Sequence, residues 1–385
     1  MNTLKQRANQ AFDTVEHELR EISKWMHDNP ETAWEEYEAS ERLAGFLGDN
    51  GFDVTYPAYG LNTSFEANKG SGRHQVVICC EYDALPGVGH ACGHNIIAAS
   101  SLGAGAAIAD LVDDLDIRVT VLGTPAEEAG GGKIDLIEAG AYSEASASMM
   151  IHPSGRNLAD PRLLAAQGLT VEYHGREAHA AASPHVGVNA LDAFVHAYNG
   201  VSVLRQQFEA GDRVHGVIDV GGVAPNVIPG YTMSRWIVRA ETANRFEALK
   251  EKVLACFDAA ARATGCRMDI TPEGEPYMDL VSHPVLIDLF VANSVLLGRD
   301  MPTHEETRQP VYASSDMGNV SHIVPSIHPS LRIETDAVNH QPEFATATIT
   351  PSGQRAIRDG ALAMAYTVID MAEQDLWEEL RSSSQ

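Results

Sequence analysis

Three apolar runs, each ending in a polar turn, constrain this chain more than any other feature. They are "HQVVICCEYDALP" from His74, "DIRVTVLGTPAEE" from Asp116 and "ASMMIHP" from Ala147. Short apolar runs of this kind, bounded by turn residues, read as buried strands. Between the first two lies "NIIAASSLGAGAAIADLVDDL", a helical pattern rich in Ala and Gly that suits close packing on a sheet. Strands alternating with helices predict an α/β layer around a mixed, mostly parallel sheet with flanking helices. In such sheets chemistry gathers outside the carboxyl ends of the strands. Asp83, Glu127, Glu128 and His152 all fall there.

The pattern changes after Ala166. "GLTVEYHG" alternates as a half-buried strand, and "NALDAFVHAYNGVSVLRQQF" is an amphipathic helix. Strands "VHGVIDVGG" and "YTMSRWIVRA", a helix "FEALKEKVLACFDAAARATG" and a strand "CRMDITPEG" follow. The order β-α-β-β-α-β is the ferredoxin-like α+β unit. From Pro276 the α/β style returns, with a helix near "HPVLIDLFVANSVLL" and a last one from Pro351 to Leu380. Near the N-terminus a second helix is expected from Trp34 to Gly48. A chain of 385 residues exceeds what one core absorbs. The expectation is a discontinuous domain of residues 1–166 and 276–385 interrupted by an inserted domain, 167–275.

The formal net charge of −26 makes nucleic acid and anionic membrane poor partners, because both need a basic face. It would steer a cationic substrate favourably, although acidic surfaces also simply keep proteins soluble. No stretch is apolar for long enough to span a bilayer, and the N-terminus lacks the pattern of a signal peptide. A cytoplasmic protein is expected. The five cysteines, Cys79, Cys80, Cys92, Cys256 and Cys266, do not form a disulfide framework. Cys79 and Cys80 point to opposite faces of one strand as small core residues, and Cys256 belongs to a helix core. Only Cys92 sits among glycines and polar residues, in "GHACGHN". It is a metal ligand, a nucleophile paired with His94, or a buried apolar thiol.

Cys92, His94, Glu128, His152 and His340 are the donor types that zinc, manganese and cobalt accept. Each alone reads as an ordinary structural residue; together, from separate strand ends, they read as a metal site. Where one acid of the Glu127–Glu128 pair ligates, the other can take a proton from an activated water.

The ordered series "EYDALPGVGHACGHN", "GTPAEEAGGGK", "IHP", "GREAHAAASPHVGVNALDA", "GGVAPNVIP" and "NHQPEF" resembles the M-twenty metallopeptidases and amidohydrolases over nearly the whole chain. The resemblance implies a zinc-exopeptidase-like catalytic domain with an inserted lid and dimerisation domain. It implies two divalent metals, zinc or else manganese or cobalt, held by Cys92, His94, Glu128, His152 and His340. Glu127 becomes the general base and Asp83 an acid supporting the metals. Glu81 stands where other members carry a metal-binding histidine, as expected if Cys92 supplies that ligand instead. His179 would reach the active site of a partner subunit and stabilise the oxyanion. Asn226 and Arg239 would hold a substrate carboxylate, the arginine by its planar fork. On the residues alone, His179 also reads as a surface histidine and Arg239 as an ordinary strand arginine.

Asn95 after the C-G-H triplet, with "EYDALPG" and "SSDMGNVSHIVPSIHP", is most similar to the small dipeptidases that release basic amino acids. The expected activity is therefore metal-dependent hydrolysis of an amide bond in a dipeptide-sized substrate, by a homodimer joined through the lid. The alternatives are an N-acyl-amino-acid or p-aminobenzoyl-glutamate hydrolase, a cysteine-dependent hydrolase, and a silent binding protein on the same fold. His90, His185, His304, His322 and His328 receive no role, nor does Asp316 beyond a place near the substrate pocket.

Overall fold

A computed structural model describes residues 3–307 and 313–382, arranged as two compact units. The first comprises Met1–Arg162, Leu280–Val311 and Ser315–Gln385; the second comprises Leu163–Asp279 with Tyr312–Ser314.

The first unit is built on a six-stranded sheet. Its spatial order is Asp53–Thr55, Glu66–Lys69, Ile117–Gly123, His74–Cys80, Ala145–Met149 and Ser326–Ile327. The last four run parallel, and Glu66–Lys69 is antiparallel to both its neighbours. Helix His94–Ile108 is buried along its whole length. It packs on this sheet and against helices Thr3–Asp28 and Pro351–Glu373. Its glycines make that approach possible: a Cβ on Gly103 would lie 2.8 Å from Phe12, and one on Gly105 would lie 2.6 Å from Val121. Helix Thr3–Asp28 buries Ala8, Phe12, Val15, Leu19, Ile22 and Met26, a stripe at helical spacing.

Three expectations need correction. The second helix runs Tyr37–Asp49, not from Trp34, because Trp34 has φ 68°, outside the helical region. The last helix stops at Glu373 and a short one, Trp377–Ser382, follows; Asp375 between them has φ 50°. "ASMMIHP" is not one strand. Strand Ala145–Met149 ends, and His152–Ser154 pairs separately and in parallel with Ser330–Arg332.

The second unit carries four antiparallel strands in the order Arg267–Tyr277, Ala165–His174, Tyr231–Ala240, Arg213–Val220. Helices Ala190–Leu204 and Ala243–Thr264 pack on them, giving the β-α-β-β-α-β order expected from the sequence. Asn189 and Thr242 cap the two helix starts with their side chains, and Gly265, at φ 76°, ends the second. Trp236, Phe246, Val253 and Phe257 form the centre of this unit's own core. Among the described residues no helix is long and apolar enough to cross a membrane.

Candidate metal centre

The carboxyl ends of the four parallel strands converge. His74–Cys80 leads into Glu81 and Asp83, Ile117–Gly123 into Glu127 and Glu128, Ala145–Met149 into His152, and Ser326–Ile327 into His328. Cys92 and His94 arrive on the turn that starts the buried helix. Gly93 between them has φ 84°, and a Cβ there would sit 2.3 Å from Pro153, so only glycine serves. His340 is placed by a backbone at φ 73° whose N–H donates to the Ala91 carbonyl at 2.9 Å.

Seven of the ten expected site residues come together here: Asp83, Cys92, His94, Glu127, Glu128, His152 and His340. Cys92 Sγ lies 3.5 Å from His152 Nε2. His94 Nε2 is 3.5 Å from Glu81, 3.7 Å from Glu128 and 3.9 Å from Glu127. His340 Nε2 is 3.6 Å from the other oxygen of Glu128. Three overlapping sets have donor atoms within 4.8 Å of one another: Cys92–His94–His152, Cys92–Glu128–His340 and Glu81–His94–Glu127. The first two use all five expected ligands and share Cys92.

Asp83 touches the cluster through its neighbours. One oxygen meets His94 Nδ1 at 3.0 Å, and the other accepts the Glu128 backbone N–H at 2.9 Å. This fixes the proton on Nδ1 and turns Nε2 toward the carboxylates, the arrangement that prepares a metal-binding histidine. His152 Nδ1 is held likewise by the Pro153 carbonyl at 2.9 Å, leaving Nε2 facing Cys92.

A divalent cation fits these residues. His94 Nε2, Glu128 Oε1 and Glu81 Oε2 are buried without a hydrogen-bond partner, a costly state that a cation would relieve. Thiol, imidazole and carboxylate are also the donors that zinc-like ions prefer. The electrostatics agree. Burial, then the carboxylates of Glu81 and Glu128, push Glu127 well above its usual range. Burial depresses His152 to about 3, so it is neutral and able to coordinate. Burial and then Glu128 push the Cys92 thiol well up. That opposes an unaided nucleophile, which needs a lowered pKa, whereas coordination would deprotonate the thiol outright.

The other three expected residues belong to the second unit. His179 is exposed, and its Nδ1 accepts the N–H groups of Ala181 and Ala182 at 3.2 and 3.1 Å. The ring proton is therefore on Nε2. Asn226 is exposed and its carbonyl accepts from Ala180 N–H. Arg239 is half-buried and donates to Ser314 Oγ at 2.7 Å.

The family model described as Peptidase family M20/M25/M40 matches residues 78–354. The chain belongs to this family. Within the M20 family it is 40% identical to the Xaa-Arg dipeptidase of Mus musculus, over 96% of this chain and 89% of that one. It is 29% identical to one of the polypeptides of the p-aminobenzoyl-glutamate hydrolase of Escherichia coli K12, over 67% of this chain and 59% of the relative. The M20 fold is seen also in the crystal structure of Bacillus subtilis YXEP protein, a dinuclear metal-binding peptidase of the family. That likeness has TM-score 0.71 at 17% identity, over 93% of this chain and 99% of the other. This M20-family chain is accordingly a metal-dependent hydrolase acting on amide bonds, and divalent metal ions are its cofactor.

Several residues around the site escaped the sequence reading. His328 is almost fully buried beside His152, ring centroids 5.4 Å apart. A signal existed: "IHPS" occurs at both 151–154 and 327–330, and the two segments run side by side in parallel. Asn339 donates to the carbonyls of Cys92 and Pro153, tying two ligand loops together. Glu36 accepts the Ala126 N–H and the Thr63 hydroxyl, each at 2.9 Å. Ala126, at φ 57°, is the residue before Glu127, so Glu36 holds an unusual backbone next to the general-base candidate.

Proposed function

We propose that the chain is a dipeptidase for substrates with a basic C-terminal residue, using two divalent ions with zinc as the first choice. The convergence of five donor side chains beside a buried Glu127 carries this reading, and the likeness to an Xaa-Arg dipeptidase selects the substrate. A bound divalent ion would polarise the amide carbonyl and acidify a water. Cys92, His94 and His152 would hold one ion, and Cys92, Glu128 and His340 the other. Asp83 orients His94. Glu127 takes the proton of the attacking water and returns it to the leaving amine, a role its burial among carboxylates suits. In the same reading His179 donates from Nε2 to the developing oxyanion. Arg239 and Asn226 hold the substrate carboxylate; the Arg239 fork has donors beyond the one given to Ser314. The pairing of two copies through the second unit is part of the proposal. Its edge strand Arg213–Val220 exposes Val217 and Ile218, and its helix Ala190–Leu204 exposes Val195, Tyr198 and Val203.

The p-aminobenzoyl-glutamate reading has one observation in its favour, the match to the Escherichia coli hydrolase. One experiment separates the two. Metal content is measured, and hydrolysis is followed on Xaa-Arg and Xaa-Lys dipeptides, p-aminobenzoyl-glutamate and N-acetyl amino acids before and after chelation. Preference for basic dipeptides with chelator-sensitive turnover is expected. Turnover of p-aminobenzoyl-glutamate alone would replace this reading. Chelator-resistant turnover blocked by thiol alkylation would return Cys92 to the nucleophile role.

A further inference from the structure

The glycine turn "AGGGK" ends in a lysine that the reaction does not use. Lys133 is wholly buried. Its ammonium donates to Glu81 at 2.6 Å and to Asp316 at 2.5 Å, while its backbone N–H donates to the second Asp316 oxygen at 2.9 Å. The turn that brings it there tolerates no side chain at Gly132, where a Cβ would strike the Pro125 carbonyl at 2.1 Å. A cation so deep, clamped by two carboxylates from different loops, fixes the orientation of both.

The consequence falls on Glu81, which has no solvent exposure. Lys133 occupies its Oε1. Its Oε2 has no hydrogen-bond donor, points 3.5 Å from His94 Nε2, and belongs to the set Glu81–His94–Glu127 within 4.8 Å. A carboxylate oxygen buried without a donor is expensive unless a cation meets it. The orphaned nitrogen of His94 and the orphaned Oε1 of Glu128 face the same space.

We infer that Glu81 is a sixth protein donor of the metal centre, aimed at it by the Lys133–Asp316 clamp. It donates one oxygen to metal while Lys133 holds the other. The inference rests on the metal-binding reading above. Lys133 and Asp316 act through Glu81 as positioning residues.

The test compares the unmodified protein with Glu81→Gln, reading zinc affinity by chelator competition and the rise in Tm that zinc produces in each protein. Comparing each variant with its own metal-free form removes any effect of the substitution on the fold alone. Removing a supporting partner of a metal ligand typically weakens binding roughly 10–100-fold, and losing a donor should cost at least the lower figure. The expected result is such a loss at one of two sites, with a diminished zinc-induced rise in Tm. In the cobalt-loaded protein the Cys92 thiolate absorption should persist. Unchanged zinc affinity with only a lower metal-free Tm would overturn the inference and leave Glu81 as the counter-ion of Lys133. An unmodified protein that binds no metal would overturn the metal reading and this inference together. Should Glu81→Gln fail to fold, Glu81→Asp keeps the charge beside Lys133 and shortens the reach by one methylene. Undiminished zinc affinity both there and in Glu81→Ala would overturn the donor role.

Discussion

At the scale of single residues, two buried glutamates make opposite demands. In the proposed mechanism Glu127 is the proton carrier, so Glu127→Gln should retain its metal and lose turnover by roughly 10²–10⁴-fold. Metal analysis beside a kcat measurement checks this; full activity would remove the assignment. Glu36 carries no chemistry but a charge in a poor place. Burial, then the nearby Asp83, raises its pKa to about 7 from an ordinary 4.5. Below pH 4.5 the side chain is protonated in both folded and unfolded chains. Between 4.5 and 7 the folded state binds the extra proton, so stability falls as pH rises through that window and is level above it. The shift corresponds to about 3 kcal/mol at 1.36 kcal/mol per unit. In the metal-free protein, Glu36→Gln should flatten this slope in urea unfolding at a series of pH values. An identical slope in the variant would place the pH dependence elsewhere.

At the scale of elements, strand ends positioned the chemistry, and the sequence made most of them legible. The runs before Glu81, Glu127 and His152 are long and apolar enough to declare themselves. Ser326–Ile327 is only two residues long and lies between Pro325 and Pro329, so its pattern reads as loop and His328 received no role. Lys133 was hidden for another reason: a lysine after glycines reads as solvated, and its partners lie 52 and 183 residues away. The start of helix Tyr37–Asp49 was misplaced because periodicity continues through Trp34 while the backbone does not. The glycine between Cys92 and His94 offers a test at this scale. Gly93 and Gly87 both have positive φ, but a Cβ at Gly87 meets nothing within 4 Å while one at Gly93 meets Pro153. Gly87→Ala should cost roughly 1–2 kcal/mol, the left-handed penalty alone, with metal content unchanged. Gly93→Ala should cost more and lose metal as well, because the clash displaces the neighbour of His152. Equal metal content in both variants would show that the turn does not set the ligand geometry.

For the whole molecule, charge dominates. With 53 acidic residues against 27 basic ones, the field should draw a cationic dipeptide toward the protein. Its kcat/KM should then fall as salt shortens the screening length from roughly 30 Å at 0.01 M to about 10 Å at 0.1 M. A neutral dipeptide should show no such fall, and parallel salt curves for the two would dismiss steering. The same excess of negative charge reappears inside the metal centre. Glu81, Glu127, Glu128 and Asp83 crowd around His94, and Lys133 supplies one buried cation against them. Removing the metals leaves these carboxylates facing one another, so chelation should lower Tm as well as abolish turnover. Readdition at 100 times the dissociation constant should restore about 2.7 kcal/mol per site. The rise should also be larger at pH 7 than at pH 5. Burial holds the Cys92 thiol protonated in the metal-free chain, and metal binding must displace that proton. Thermal unfolding at the two pH values, with and without zinc, measures both effects. A Tm indifferent to chelator at either pH would mean that the donor cluster is stable without a cation, and the metal centre would have to be abandoned as the organising feature of this fold.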